Sequence, residues 1–201
     1  MPLEAPLVPV TERVTDLNRR YAHHSAADVL EHALSDPQVG NAALVSSFGA
    51  ESVVLLHMVS VIDRTTPVLF VDTEMLFPET LEYQREVAEK LRLTNVQMIH
   101  PDRTQMFRRD PNSRLHASDA NACCALRKTE PLTNALEPYE AWITGRKRYQ
   151  GGRRAVLDFF EADDGKRLKI NPLAHWEPAN IKEYILNNRL PRHPLVAKGY
   201  P

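Results

Sequence analysis

The hydrophobic positions of this chain switch between two periodicities from about residue 41 onward. Short apolar runs are typical of buried strands, and longer segments with apolar residues at helical spacing follow them. The predicted strands are Ala42–Val45, Val68–Val71, Val96–Ile99, Ala141–Thr144 and Leu168–Ile170. Strands separated by helices predict an α/β fold: a mostly parallel twisted sheet with helices on both faces.

Helices are predicted between these strands near residues 52–62, 78–91, 103–109 and 123–136, and after the last strand near residues 178–188. The start of the chain has helical periodicity only, and Ser25 is a suitable N-cap for the second helix there. We therefore predict two parts: an N-terminal helical segment, residues 1–40, packed on a domain of residues 41–201.

Composition narrows the possible classes of protein. The chain has 201 residues, 43% of them hydrophobic, which is enough for one full core. A net charge of −1 argues against a general nucleic-acid or membrane-surface protein. No apolar run approaches the ~20 residues that span a bilayer. The stretch Met1–Pro6 lacks the basic region of a secretory signal, so we expect a cytoplasmic protein.

The two cysteines of the chain are neighbours, Cys123 and Cys124. Adjacent Cα atoms lie ~3.8 Å apart, closer than an ordinary disulfide spans, so a structural disulfide is not expected. Two thiols side by side indicate metal, cluster or redox chemistry. The alternative is that both pack as small hydrophobic residues.

Polar residues follow three of the predicted strands, at Ser46–Ser52, Asp72–Glu74 and Gly145–Arg154. In parallel sheets ligands bind at the carboxyl ends of strands, so we expect the three stretches to line one crevice. The first stretch leads into a helix, and such a turn suits a phosphate. Two alternatives remain open: the basic stretch is a solvated surface turn, and Asp72 merely caps the turn after its strand.

Four segments in order resemble the assimilatory adenylyl-sulfate and phosphoadenylyl-sulfate reductases. They are Ser46–Ser52, Asp72–Thr80, Cys123–Leu132 and Trp142–Gln150, and the resemblance continues through Asn171–Trp176 to Lys198–Pro201. It implies an adenine nucleotide alpha hydrolase-like fold. Where ATP-splitting relatives carry a second glycine, this loop has Phe48, which we interpret as an extra apolar side chain entering a loop for a nucleotide monophosphate ester.

The resemblance also implies a set of site residues. Substrate-binding residues are expected at Ser46, Ser47, Phe48, Gly49, Glu51, Ser52, Asp72, Thr73, Gly145, Arg148 and Arg153. The cysteine pair is similar to that of the branch with a [4Fe–4S] cluster, so Cys123 and Cys124 are expected metal ligands near a helix start. Arg127 and Lys128 would support the cluster and a bound sulfate electrostatically.

The implied reaction is the reduction of adenylyl sulfate to sulfite and AMP in sulfate assimilation, which leads to cysteine biosynthesis. A cysteine thiolate attacks the sulfur, S-sulfocysteine forms, and thioredoxin or a similar dithiol releases sulfite. The expected partners are therefore adenylyl sulfate or AMP and that dithiol. No nucleic acid or membrane is expected, and a homo-oligomer is possible.

The sequence departs from the family at its end, Pro201. The family continues with a Cys-x-x-Cys pair and a Glu-Cys-Gly-like motif that carries the nucleophile, and this sequence contains neither. We therefore expect a truncated chain with an incomplete ligand set, no catalytic cysteine of its own, and nucleotide binding without sulfite release. The alternatives are a phosphoadenylyl-sulfate reductase, a sulfurylase subunit or thiolation enzyme without a cluster, and a nucleotide-binding remnant without turnover.

Overall fold

The computed structural model describes residues 8–200, so the predictions for Met1–Pro6 and Pro201 lie outside it. Contacts between Cα atoms divide the chain into two compact units. The first unit comprises Met1–Ala42 and Tyr139–Pro178, and the second comprises Ala43–Pro138 and Ala179–Pro201. The predicted division at residue 40 stays a prediction.

The regular elements follow the predicted alternation. The helices are α1 (Val10–Tyr21), α2 (Ala26–Ala33), α3 (Ser52–Ile62), α4 (Pro78–Lys90), α5 (Arg103–Arg109), α6 (Leu115–Ser118), α7 (Ala120–Cys124), α8 (Glu130–Ala135) and α9 (Pro178–Asn187). The strands are β1 (Ala42–Ser46), β2 (Val68–Val71), β3 (Val96–Ile99), β4 (Ala141–Ile143), β5 (Phe160–Asp163) and β6 (Arg167–Ile170). Tighter or wider helical turns occupy Ala125–Thr129, Arg148–Gln150, Gly152–Val156 and Pro194–Lys198.

Three parallel strands organise the second unit, in the order β3-β2-β1. The side chains of β1 and β2 are almost all buried, the pattern of parallel strands covered on both faces. Ser46, the last residue of β1, is level with Phe70 of β2. Helix α3 follows β1 and is apolar nearly all round, with Val53–Leu56 buried. Such a helix needs a core on more than one side.

The strands of the first unit have the order β4-β6-β5. Strand β4 is parallel to β6, and β5 is antiparallel to β6. Helix α1 contacts β5 through Asn18, whose side chain donates to the Phe160 carbonyl at 2.8 Å and accepts from the Phe160 N–H at 3.0 Å. In α2, Ser25 accepts from the Asp28 N–H, so the predicted N-cap is confirmed.

The predicted fold class, a mostly parallel α/β sheet with helices, is confirmed, and the predicted strands agree with β1–β4 and β6 within one residue at each end. Two elements were missed: strand β5, and α6, which lies between the helices predicted near residues 103–109 and 123–136. The helix predicted to begin near Cys123 begins at Ala120 instead. None of the helices in the described part of the chain is both long and apolar enough to cross a membrane.

Candidate functional site

The loop after β1 is a tight turn tied by its own polar groups. Ser46 is buried, and its Oγ accepts a hydrogen bond from the Phe48 N–H at 3.1 Å. The Ser52 N–H donates to the Gly49 carbonyl at 3.0 Å, and α3 begins at Ser52. The loop therefore delivers the chain directly into the N-terminus of an eleven-residue helix, the end that attracts anions.

Gly49 lies between two hydroxyl groups. A Cβ built on Gly49 would lie 3.4 Å from Ser47 Oγ and 3.9 Å from Ser52 Oγ, and these oxygens are 3.4 Å apart. Gly49 is not among the residues with positive φ. Neither its backbone conformation nor a severe clash with the protein therefore demands a glycine here. A side chain would instead fill the space beside the two hydroxyl donors, which we call the Gly49 cradle.

The structure corrects the interpretation of Phe48. Its ring was expected to enter the ligand loop, but the side chain is fully buried in the core. It packs edge-to-face on Phe70 of β2, with the ring centroids 5.1 Å apart and the planes at 74°. The backbone of Phe48 has φ 50°, a conformation that bulky residues rarely adopt. Burial follows because an exposed ring would forgo the hydrophobic contact with β2.

The turn after β2 holds Asp72 and Thr73. Asp72 Oδ1 accepts from the Glu74 N–H at 2.8 Å, so the alternative that Asp72 caps this turn describes its observed bond. The Asp72 N–H donates to the Ile99 carbonyl, and Asp72 Oδ2 lies 3.9 Å from His100 Nδ1. Asp72 and Thr73 are half-buried. The carboxylate is fixed in direction by the turn and keeps a partly open side.

Arg127 is buried and ion-paired, which its prediction as a charge beside the sulfate did not anticipate. Its Nη2 donates to Asp110 Oδ2 at 2.7 Å and its Nη1 to the Thr73 carbonyl at 3.0 Å, with only 3% and 2% of the Arg127 and Asp110 side chains exposed. The Arg127 hydrogen bond holds the pKa of Asp110 below its usual value. Arg127 thus links the cysteine segment to the turn after β2.

The cysteine pair lies at the end of α7, not at its start. The helix begins at Ala120, where Asp119 accepts from the Ala122 N–H, and the chain continues into the wide turn Ala125–Thr129. Both thiols are free; Cys123 is buried and Cys124 is exposed. The absence of a disulfide between them was predicted. Because helix-dipole effects fade beyond the first turn, the start of α7 gives the two thiolates little electrostatic support.

The two thiols satisfy half of the donor set of a [4Fe–4S] cluster, which takes four thiolates. The sequence holds two cysteines in total. Across residues 8–200, no group of three or more His, Cys, Asp or Glu side chains is arranged to hold a metal ion. This chain alone therefore does not fit a complete cluster, and we derive no chemical step through one.

Two charged candidates lie near these segments. Lys128 is exposed and follows Arg127 directly, and within residues 8–200 no carboxylate pairs with it. Glu51 is half-buried immediately before α3, and its side chain does not cap the helix. Of the two predicted cations, Lys128 is thus the one whose charge faces solvent.

The basic stretch belongs to the first unit, and Arg146 is held there by a polar network. Its guanidinium contacts Glu161, Thr144 Oγ1 and Asn171 Oδ1. Asn171 is fully buried; it also accepts from the Thr144 hydroxyl at 2.7 Å and donates to Glu161 at 2.8 Å. The charge of Arg146 therefore stabilises the fold locally.

The predicted substrate residues of this stretch differ in their surroundings. Arg148 donates to the Leu157 carbonyl at 2.6 Å and pairs with Asp158 at 3.1 Å. Gly145 is half-buried after β4. Arg153 is exposed, and no carboxylate pairs with it in the described part of the chain. The charge of Arg153 is thus available, and that of Arg148 is partly neutralised.

Asp110 was missed by reasoning from the sequence. It lies just after the helix predicted near residues 103–109, 17 residues before Arg127, and nothing local marks it as the partner of that arginine. Its carboxylate also accepts from the Leu115 N–H at 2.9 Å, which holds the start of α6. The only available signal was an aspartate just after a helix end, where a capping role is the ordinary interpretation.

A parallel sheet with a hydroxyl-flanked glycine before a helix is typical of α/β proteins that bind anionic ligands at the carboxyl ends of their strands. Comparison with known proteins narrows this class. The family model of the phosphoadenosine phosphosulfate reductase domain matches residues 41–201. The chain therefore belongs to this family of reductases, and the fold and activity class implied by the resemblance are confirmed.

Individual relatives agree. An adenosine 5'-phosphosulfate reductase of Chelativorans sp. (strain BNC1) is 47% identical over 186 residues, covering 92% of this chain and 76% of its own. The enzyme of the same name from Mesorhizobium japonicum is 44% identical and covers 95% and 75%. The crystal structure of phosphoadenylyl-sulfate reductase from Candida auris, a phosphate complex, superposes with a TM-score of 0.81 at 26% identity, covering 98% and 96%.

Proposed function

We propose that this protein binds adenylyl sulfate and takes part in its thiol-dependent reduction to sulfite and AMP during sulfate assimilation. The observation that carries the proposal is the Gly49 cradle, where the missing side chain leaves room beside the hydroxyls of Ser47 and Ser52. The 5'-phosphate of the nucleotide occupies this cradle, at the positive end of α3. Asp72 and Thr73 bind the ribose or adenine.

The reaction begins when a cysteine thiolate attacks the sulfur of the sulfate–phosphate anhydride. The S–O bond breaks, its electron pair stays on the phosphate oxygen, and AMP leaves. One thiolate of a dithiol such as thioredoxin then attacks the cysteine sulfur of S-sulfocysteine; sulfite leaves with the electrons of the S–S bond, and a mixed disulfide forms. The second thiol attacks this disulfide, which closes the dithiol to its own disulfide and releases the enzyme cysteine as a thiolate. By the resemblance, the attacking cysteine belongs to a Glu-Cys-Gly-like motif that this sequence does not contain.

The cations of the site have different roles in this proposal. Thiolate, sulfate and phosphate are all negative, so their approach requires positive charge. Lys128 supplies it from its exposed position, and Arg127 holds the turn at Thr73 instead of meeting the sulfate. Arg153 is a further cation for the substrate, while Gly145 and Arg148 stay predictions.

Cys123 and Cys124 supply two of the four thiolates of a [4Fe–4S] cluster in the complete assembly. The relatives named adenosine 5'-phosphosulfate reductase support this branch of the family. Iron content and visible absorbance after anaerobic reconstitution test it without any activity measurement. We expect Cys123→Ser to lower iron retention further, because the remaining thiol cannot chelate alone.

The proposed binding site is tested by calorimetry with AMP and adenylyl sulfate. We expect binding of both below millimolar concentration, and a loss of roughly tenfold or more in affinity for Gly49→Ala and Ser52→Ala, about the value of one hydrogen bond to a charged phosphate. Ser60→Ala is the matched control, because Ser60 lies in the same helix and donates to the His57 carbonyl. No binding by the wild-type protein at millimolar nucleotide rejects the proposal.

Phosphoadenylyl sulfate is the alternative substrate. The family model and the Candida auris enzyme carry that name, whereas the Chelativorans and Mesorhizobium relatives are named for adenosine 5'-phosphosulfate. We expect AMP to bind at least as tightly as adenosine 3',5'-bisphosphate. A clear preference for the bisphosphate would instead favour the 3'-phosphorylated substrate.

A further inference from the structure

Phe48 combines three features that are seldom found together in a loop residue. Its backbone lies in the left-handed region, with φ 50°. Its side chain is entirely buried, although the residues on either side of it are an exposed serine and a half-buried glycine. Its N–H group bonds to the buried Ser46 hydroxyl. A bulky residue keeps such a conformation only when its surroundings over-determine it.

The residue that holds Phe48 in this conformation belongs to the neighbouring strand, β2. Ser46 is level with Phe70 in the parallel pairing of β1 and β2, and the ring of Phe48 returns onto that same Phe70. The loop is therefore closed by two contacts: the hydrogen bond from the Phe48 N–H to Ser46 Oγ and the edge-to-face contact of the two rings. Aromatic pairs of this geometry add stability beyond the area they bury.

These two contacts of Phe48 also determine the orientation of the next residue, Gly49. A left-handed residue reverses the local direction of the chain, so the conformation of Phe48 decides where Gly49 and the following N–H groups point. Without an anchor, a non-glycine residue would leave φ 50° for the favoured negative region. The hydroxyls of Ser47 and Ser52 would then lose their 3.4 Å spacing across the cradle.

We infer that Phe48 is a positioning residue for the nucleotide phosphate: its ring, buried on Phe70, holds the left-handed backbone that orients the Gly49 cradle. This inference rests on the proposed function, since it takes the cradle to be the phosphate site. Phe48 touches no substrate atom; it acts through Gly49. The ligand it serves is a nucleoside 5'-phosphate ester.

Three substitutions separate a positioning role from simple core packing. Phe48→Leu removes the ring but keeps an apolar side chain. Phe70→Leu removes the other ring of the pair and leaves residue 48 a phenylalanine. Phe160→Leu is the control, because Phe160 is equally buried but lies in β5 of the first unit. All three variants lose comparable apolar contact, so a general loss of stability appears in each.

The readouts are AMP affinity by calorimetry and hydrogen exchange of the amides of residues 49–52, both at a temperature where each variant is folded. We expect Phe48→Leu to bind AMP roughly tenfold more weakly and to exchange these amides faster, with Phe70→Leu intermediate. Phe160→Leu should change both readouts less than about twofold. The tenfold figure corresponds to one misplaced hydrogen bond to phosphate.

Two results overturn the inference: an AMP affinity and loop exchange for Phe48→Leu within twofold of wild type, or an equal loss in Phe160→Leu. If Phe48→Leu does not fold, Phe70→Leu decides by the same criteria. A wild-type protein that does not bind AMP counts against the proposed function instead. Loop exchange without nucleotide then still tests whether Phe48 holds the cradle.

Discussion

Two stretches that were predicted to bind the same substrate are built in contrasting ways. The loop Ser46–Ser52 uses hydroxyls, a glycine and the start of a helix, and its one charged residue is Glu51. The stretch Gly145–Arg154 is rich in arginine, but Arg146 and Arg148 are held by carboxylates and carbonyls of their own unit. The first stretch places two hydroxyl groups at a helix start, and the second uses the charges of Arg146 and Arg148 within the fold.

A run of positive residues is therefore a poor guide to the charge that is available to a ligand. A guanidinium that pairs with a carboxylate contributes little net field to a ligand, whereas backbone N–H groups at a helix start keep theirs. Each charge must therefore be traced to its partner before it is assigned to a substrate. By that criterion Lys128 and Arg153 are better candidates than Arg127 and Arg148.

The largest effect is expected where a charge is held most completely by the fold. Arg127→Met leaves the carboxylate of Asp110 buried without its partner, so we expect the free energy of unfolding to fall by about 3–5 kcal/mol. Urea unfolding measures the change. Arg109→Met is the matched control, because Arg109 pairs with Glu130 at an exposed position, worth about 0–1 kcal/mol. Equal losses in both variants would mean that burial does not distinguish the two pairs.

A smaller effect should appear at acid pH. The pKa of Asp110 is lowered by Arg127 from its ordinary value of 3.8, so its stabilisation is present above pH 3.8 and is lost as pH falls through the lower folded pKa. Unfolding free energies measured from pH 6 to pH 2.5 should fall less steeply in Asp110→Asn. The two curves should converge at the acid end; parallel curves would show that Asp110 is not coupled to folding.

The smallest effects distinguish the two arginines of the basic stretch. Arg148→Gln breaks an exposed pair with Asp158, and we expect about 0.5–1 kcal/mol of lost stability. Arg153→Gln should leave stability unchanged and weaken adenylyl sulfate binding by roughly threefold at low salt, with less effect at high salt. The reverse pattern, with affinity lost only in the Arg148 variant, would reassign the substrate cation.

Much of the fold was readable from the sequence because its signals are local. Apolar runs such as Val68–Val71 specify buried strands, and Ser25 specifies a helix start through its own side chain. Strand β5 was missed because two of its four residues are acidic and it pairs only along one edge. Its strand character comes from β6, not from its own composition.

The site was readable in outline and not in detail. The order of the motifs identified the family, and the pattern of the loop at Ser46–Ser52 predicted a phosphate site, which stays a prediction. The direction of the Phe48 ring and the partner of Arg127 were not predictable, because both depend on residues distant in the chain: Phe70 and Asp110. Tertiary packing decides on which side of a loop a side chain lies, and a single sequence does not show which distant residues pack together.

The two hydrogen bonds between the Asn18 side chain and the Phe160 backbone bear on how the protein associates in concentrated solution. Strand β5 ends its sheet, and an uncovered end strand is a template for pairing with another molecule. The Asn18 amide occupies both backbone groups of Phe160 that a foreign strand would seek. Glu161 and Asp163 add acidic side chains along the same strand. One asparagine thus keeps these two backbone groups of β5 from pairing with a strand of another molecule.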